Sequence, residues 1–342
     1  MTRLPDPRVR PDGPHPLADG FGRVARDLRV SLTDRCNLRC TYCMPAQGLP
    51  WLPHRDILTD EEMLRVVGVF VQMGVREVRL TGGEPLLRRG LVDLVGGFAA
   101  LDPRPKIAMT TNGVGLDRLA QALADAGLDR VNVSLDTVDA ETFTVMTRRP
   151  RFADVDRGLQ AAQSVGLSPI KVNAIAMPGI NDDQLPDLLA WCLARDYALR
   201  FIEHMPLDAQ HAWDRSQMIT GEEIHARLST RFTLTPVAAP RGSDPAEVFL
   251  VDGGPGTVGI IPSVTAPFCS ACDRVRLTAD GQVRNCLFAR SEIDLRTPLR
   301  DGATDEDLAR LISAEIWRKQ AAHGIGSPGF AQPDRPMSAI GG

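Results

Sequence analysis

The sequence predicts an α/β fold, an incomplete (βα)6 barrel of TIM type with a C-terminal α+β extension. Two observations carry this. Strand-like runs alternate with longer helical patterns six times before about residue 215, and such alternation builds parallel sheets with right-handed crossovers. Six units are fewer than the eight of a closed barrel. Beyond residue 215 the alternation fades into turn-rich segments and short strands.

In chain order, residues 1 to about 22 are rich in Pro, Asp and Arg and lack the apolar core of a secretory signal, so they read as a flexible arm. LRVSL at 28–32 is the first predicted strand. Thr59 and Glu62 are spaced as a capping box, and Met63, Val66, Val67, Phe70 and Val71 then share one helical face. Strands follow at 75–80, 106–111, 130–135, 170–175 and 199–204. Helical patterns lie near 88–100, 115–126, 139–148, 152–165 and 181–195. Residues 23–215 therefore form the barrel unit. Residues 216–325 form the extension, with helices near 220–229 and 304–320; Leu308, Leu311, Ile312 and Ile316 give the second its apolar stripe. Residues 326–342 read as a flexible tail ending in Gly-Gly.

With 43% apolar and 24% charged residues among 342, a sizeable core is expected. A net charge of −4 gives no reason to expect a nucleic-acid or membrane surface. No apolar run reaches the length of a membrane span, so a cytoplasmic protein is expected.

Six of the seven cysteines fall into two tight groups. In a chain without a secretory signal, such clusters bind metal or do redox chemistry rather than form disulfides. Cys36, Cys40 and Cys43, spaced C-x3-C-x2-C, sit on the loop after the first strand. Three thiolates can hold three irons of a [4Fe–4S] cube and leave the fourth open to a ligand. Zinc is the alternative, but it wants a fourth ligand, and the nearest histidine downstream is His54, beyond LPWLP. Cys269, Cys272 and Cys286, spaced C-x2-C-x13-C around an ADG turn at 279–281, suit a second cube of the same kind. The alternative there is a zinc ribbon completed by a remote ligand such as His323. Cys192 reads as a core thiol.

The ends of the predicted strands carry CNLRCTYC, TGGEP, TTNG, SLD, KVN and EHM. Ligands of parallel α/β folds bind at the carboxyl ends of strands, so these segments predict one shared active site. Gly82 and Gly83 would let backbone approach a ligand closely. Arg274 and Arg276 alternate around Val275 and so share a face. With Arg29, Arg79 and Lys171 they suit a polyanion.

CNLRCTYC followed by TGGEP resembles the radical S-adenosylmethionine superfamily. Together with MTTNG, RVNVSLD, KVNAI, GINDDQ, RFIEHMP and FCSACDRVRLTADG, the resemblance narrows to the GTP 3′,8-cyclases, which open molybdenum-cofactor biosynthesis. It implies that Cys36, Cys40 and Cys43 hold the cluster that cleaves S-adenosylmethionine. Tyr42, Gly83, Ser134 and Met205 would line the pocket for that cofactor. Arg29, Arg79, Thr110 and Lys171 would contact GTP, as would the segment Arg274, Val275 and Arg276. Cys269, Cys272 and Cys286 would hold an auxiliary cluster facing the guanine, and Gly341 and Gly342 would reach into the active site. Arg274, Arg276, Gly341 and Gly342 are thus the expected catalytic set. His204 departs from the aromatic or apolar residue expected beside Met205.

The resemblance further implies formation of 3′,8-cyclo-7,8-dihydro-GTP through a 5′-deoxyadenosyl radical. It also implies an external electron donor, a homodimer and hand-over to cyclic pyranopterin monophosphate synthase. Two other readings compete. A peptide-modifying radical enzyme would usually carry more C-terminal cysteines, and a partner-binding zinc protein leaves TGGEP unexplained.

Overall fold

Side chains alternate between the two faces of a strand, and in this chain the alternation separates charge from hydrocarbon. A computed structural model describes residues 15–238 and 241–341. Its strands are β1 Asp27–Ser31, β2 Glu77–Thr81, β3 Lys106–Thr111, β4 Arg130–Ser134, β5 Lys171–Ile175 and β6 Ala198–Ile202. They continue as β7 Leu234–Pro236, β8 Glu247–Val251, β9 Thr257–Ile261, β10 Arg274–Leu277, β11 Gln282–Arg284 and β12 Ile293–Asp294. All belong to one mixed sheet, ordered β12-β11-β10-β1-β2-β3-β4-β5-β6-β9-β8-β7. The six predicted strands are present, their ends displaced by at most two residues, and they pair in parallel in chain order.

The C-terminal segment does something the sequence did not predict. It was expected to pack on the sheet as an extension; instead it continues the sheet at both edges. β9 pairs in parallel with β6 and β10 with β1, and the remaining strands are antiparallel. Exposed strand edges present unpaired N–H and C=O groups, and these short strands satisfy them.

Helices α1 Asp60–Gln72, α2 Leu91–Ala99, α3 Ala120–Asp125, α4 Ala140–Thr147, α5 Phe152–Ser164 and α6 Leu185–Leu193 connect the first six strands. The Thr59 and Glu62 capping box forms as predicted, and the expected apolar face of α1 is buried. The pattern at 115–126 resolves into a 3-10 turn, Leu116–Arg118, followed by α3. The helix foreseen from 181 starts at Leu185, with Pro186 in its first turn. Leu28, Val30, Val78, Leu80, Ile107, Met109, Val131, Val133 and Val172 are fully buried on the apolar side of the sheet, and Cys192 joins the same core as expected. Each fully buried aliphatic side chain contributes about 1.5–3 kcal/mol.

Four helices follow: α7 Gly221–Leu228, α8 Arg296–Arg300, α9 Asp305–Trp317 and α10 Met337–Ile340. The tail read as flexible is seated rather than free. Ser338 and Ile340 are buried, and Ile340 joins Leu207, Met218, Val264, Phe288 and Ile325 in a second apolar cluster. Composition suggested mobility; the apolar residues of MSAI supply the contacts. Leu17 is likewise buried and Ala18 bridges Val24, so the inner part of the expected arm is packed. The rest of that arm, residues 1–14, and Gly342 lie outside the described residues.

Candidate active site

The polar side of the sheet faces a cavity of about 860 Å³. Its carboxyl end is built by the first cysteine loop, which two glycines hold in place. Gly83 N–H donates to Thr33 O and Glu84 N–H to Arg35 O, each at 2.7 Å. A Cβ on Gly82 would stand 2.5 Å from Thr33 O, and one on Gly83 2.6 Å from Asp34 O and closer still to Arg35 O. The close approach that these glycines permit is thus between two loops, where the sequence pointed to a ligand. The buried Glu84 carboxylate accepts from Thr111 Oγ1 and Asn112 N, both at 2.7 Å, and from Leu86 N at 3.0 Å. Burial still pushes its pKa up to about 7. Asn112 Nδ2 in turn donates to Asn37 Oδ1 at 2.7 Å, beside Cys36. TGGEP and TTNG therefore fasten the loop that carries the thiols.

Tyr42 OH donates to Asp136 Oδ2 at 2.8 Å, and its ring meets His204 edge-on, with centroids 6.3 Å apart. Asp136 also accepts from Ile175 N at 2.8 Å; burial raises it to about 6. Burial lowers His204, whose Nε2 has no hydrogen-bond partner. Tyr42, Cys43, Ser134, Asp136, His204 and Met205 line this end together.

The second cysteine group closes the other end. Cys272 stands just before β10, which runs parallel to β1, and antiparallel β11 returns the chain to Cys286. This places the group at the amino ends of the parallel strands, opposite the first. Cys269, Cys272 and Cys286 all line the same cavity as Cys43. Lys319 Nζ donates to Cys272 Sγ at 3.4 Å and to the carbonyls of Cys272 and Arg274 at 3.0 and 2.8 Å. Burial pushes the Cys272 thiol up, but the Lys319 ammonium and the Arg274 amide and charge more than offset it, leaving its pKa below the ordinary thiol value.

Between the two ends lies a field of charge. The described cavity lining holds ten Arg and Lys side chains and five Asp and Glu, on a chain whose net charge is −4. Arg276, Arg29 and Arg79 stand in register across β10, β1 and β2. Asp27 is shared by Arg79 at 3.7 Å, Arg274 at 3.8 Å and Arg29 at 4.0 Å. Burial and neighbouring guanidinium groups push Arg29 well below its usual pKa. Arg276 falls to about 10 and Lys171 to about 8 for the same two reasons. Arg29, Arg79 and Arg274 each keep a buried Nε–H with no hydrogen bond, that of Arg274 meeting Asp27 only at 3.8 Å. A cage so short of counter-charge is prepared for an anion with several charges.

The placement differs from expectation in one respect. Basic residues were expected on the strand ends with the signatures, but Arg29 and Arg79 lie within their strands and most of the charge gathers toward the amino ends. Thr110 and Lys171 line the cavity as expected. Val275 turns into the core, so only its backbone can meet a ligand. Gly83 packs on the cysteine loop, and Gly341 lies on β1 and β2, where a Cβ would stand 3.1 Å from Ser31 Cβ and closer to Thr81 Oγ1. The carbonyl of Gly341 accepts from Arg276 Nη1.

Residues 30–192 match the Radical SAM superfamily, and residues 197–325 match Molybdenum Cofactor Synthesis C. A GTP 3′,8-cyclase of Streptomyces coelicolor is 61% identical, over 97% of this chain and 98% of that protein. The chain belongs to the GTP 3′,8-cyclase family. A GTP 3′,8-cyclase of Corynebacterium glutamicum is 54% identical, over 97% of this chain and 90% of its own. Among solved structures, SuiB of Streptococcus suis bound to S-adenosylmethionine shares the fold at 14% identity. Its TM-score is 0.52, with 81% of this chain and 66% of that one covered.

Members of this cyclase family use S-adenosylmethionine and [4Fe–4S] clusters, and the donor sets here fit them. Cys43, on the loop with Cys36 and Cys40, lines one end of the cavity, and Cys269, Cys272 and Cys286 line the other. Among the described residues, no group of three or more His, Cys, Asp or Glu side chains converges as ligands of a single metal ion must. His323 Nε2 lies 3.1 Å from Ser263 O. Sequence reading passed over Arg26, Arg76, Lys106, Arg130 and Arg200, which all line the cavity. A signal existed for part of this face: in RVRL, EVRL and RVNVSL, charged or polar residues occupy every second position. Asp136 belonged to the noted SLD segment but received no role.

Proposed function

We infer that the chain is a radical S-adenosylmethionine GTP 3′,8-cyclase that forms 3′,8-cyclo-7,8-dihydro-GTP in the first step of molybdenum-cofactor biosynthesis. The observation that carries this is one cavity lined by Cys43 of the first cysteine loop at one end, by Cys269, Cys272 and Cys286 at the other, and by an under-neutralised arginine cage between them. Cys36, Cys40 and Cys43 would hold the first cluster, and Cys269, Cys272 and Cys286 the second. When bound, these groups supply reductive cleavage of S-adenosylmethionine to carbon-radical chemistry at one end and an open iron for the purine at the other.

The chain's own residues bind, orient and exclude water. Tyr42, Ser134 and Met205 would receive S-adenosylmethionine, with Tyr42 held by Asp136. Gly83 acts there through the loop it fastens. Arg29, Arg79, Lys171, Arg274 and Arg276 would bind the triphosphate, with Thr110 and the Val275 backbone beside them. Binding energy from the remote phosphates can then fix the ribose relative to the reacting carbon. Gly341 would close the cavity at Arg276, and Gly342 takes its role from the family resemblance alone.

The strand order supports an incomplete barrel, with β9 and β10 flanking the six core strands. An external electron donor, a homodimer, a cytoplasmic location and hand-over to cyclic pyranopterin monophosphate synthase complete the reading on the strength of the family resemblance. Among the described residues, no helix is long and apolar enough to cross a membrane.

The test is anaerobic reconstitution with iron and sulfide, then GTP, S-adenosylmethionine and dithionite. Deuterium at C3′ of GTP should appear in 5′-deoxyadenosine, and the cyclised nucleotide should appear by mass analysis. About four irons per chain in place of about eight, or no label transfer, would sink the reading.

A further inference from the structure

Gly341 reaches Arg276 at the end of a tail whose last helix, α10, has four residues. A helix of one turn has no stability of its own, so its place depends on what holds the segment before it. Just upstream, Arg335 Nη1 donates to Asp280 Oδ1 at 3.0 Å and Nη2 to Asp280 Oδ2 at 2.8 Å. The Nη2 group also donates to Glu292 Oε1 at 2.6 Å, while Glu292 Oε2 accepts from Arg284 Nη1 at 2.8 Å.

Asp280 sits in the turn between β10 and β11, is 8% exposed, and accepts from Thr278 Oγ1 at 2.5 Å. Arg284 and Glu292 bracket the segment that carries Cys286. A two-pronged guanidinium–carboxylate contact fixes direction as well as distance. One that joins a network and is partly buried is worth more than an isolated surface pair. Pro336 follows Arg335 directly and caps α10, and Met337 N–H donates to Leu207 O at 3.0 Å.

We propose that Arg335 is a positioning residue for the cyclisation: it fastens the C-terminal tail to the turn and loop around Cys286, so that Gly341 is delivered to Arg276. This rests on the function proposed above. The anchor couples three parts of the chain that are far apart in sequence. A loop disordered by loss of its thiol ligation would release Glu292 and leave Arg335 only its hold on Asp280 in the β10–β11 turn. Seating of the tail is thus strengthened when the second cysteine site is formed.

The test uses the full chain, reconstituted anaerobically, as wild type, Arg335→Ala and Arg335→Lys. Hydrogen exchange at residues 337–341 is read alongside iron content and the ratio of 5′-deoxyadenosine released to GTP cyclised. Charge-assisted bonds of this kind predict exchange faster by about tenfold or more in Arg335→Ala. Iron should be unchanged, the ratio raised and kcat lowered more than KM is raised. Arg335→Lys, which keeps the charge but loses the fork, should fall between. Unchanged exchange and coupling in Arg335→Ala would overturn the proposal, as would loss of iron in both variants. If the wild type fails to cyclise GTP, the functional reading falls, while exchange at the tail still reports on the anchor.

Discussion

Replacing Gly83 by Ala should empty the first cysteine site and spare the second. The new methyl carbon would stand 2.6 Å from Asp34 O and from the Arg35 carbonyl carbon, and closer to Arg35 O. All three are backbone atoms inside the 3.0 Å below which such contacts are essentially never found, so no side chain can swing away. The loop leading into Cys36 must move, and Arg35 O then loses the bond from Glu84 N–H. Overpacking costs about 1–3 kcal/mol and the lost bond about 1 kcal/mol. Together, about 2–4 kcal/mol disfavours the ligating conformation by roughly 30- to 700-fold.

The assay is iron and sulfide content with resolved cluster spectra after anaerobic reconstitution. About four irons per chain should remain, all at the second site, and cleavage of S-adenosylmethionine should be lost. Gly96→Ala is the control. Gly96 lies within α2 with nothing within 4 Å of its added carbon, so it should keep both clusters and gain about 0.5–1 kcal/mol of stability. Full iron at the first site in Gly83→Ala would refute the docking argument.

Other perturbations test the remaining parts. Arg274→Ala with Arg276→Ala should leave iron intact and lower kcat/KM for GTP by about a hundredfold or more, since each removes charge-assisted bonds worth about 1.5–3 kcal/mol; iron loss would contradict the phosphate role. Removing Gly341 and Gly342 should spare both clusters and abolish product, and an active truncation would refute the catalytic role proposed for the tail. In cluster-free protein, burial and the neighbouring Cys36 raise the Cys43 thiol to about 12, while Cys272 stays below the usual value. A lower pKa means more thiolate at a given pH, so iodoacetamide should label Cys272 before Cys43 near neutrality, as read by peptide mass analysis. Lys319→Met should slow Cys272 alone, and equal labelling of the two thiols would contradict the assignment.

Local rules in the sequence determined a good deal. The six strands, the Thr59 capping box, the core role of Cys192 and the pairing of Arg274 with Arg276 on one face all follow from side-chain periodicity and short-range hydrogen bonding. Spacing alone marked both cysteine triplets. Tertiary structure decided what depends on contacts distant in sequence. β9 and β10 are four or five residues long, and nothing within them states that their partners are β6 and β1. Gly83 reads as a ligand contact until the backbone of Asp34 and Arg35 is seen against it. Arg26, Arg76, Arg130 and Arg200 look like surface charge, because an interior polar face and a solvated one obey the same twofold alternation. Only the tertiary structure set that face against a cavity, where low dielectric and crowding suit a row of ordinary arginines to a polyanion.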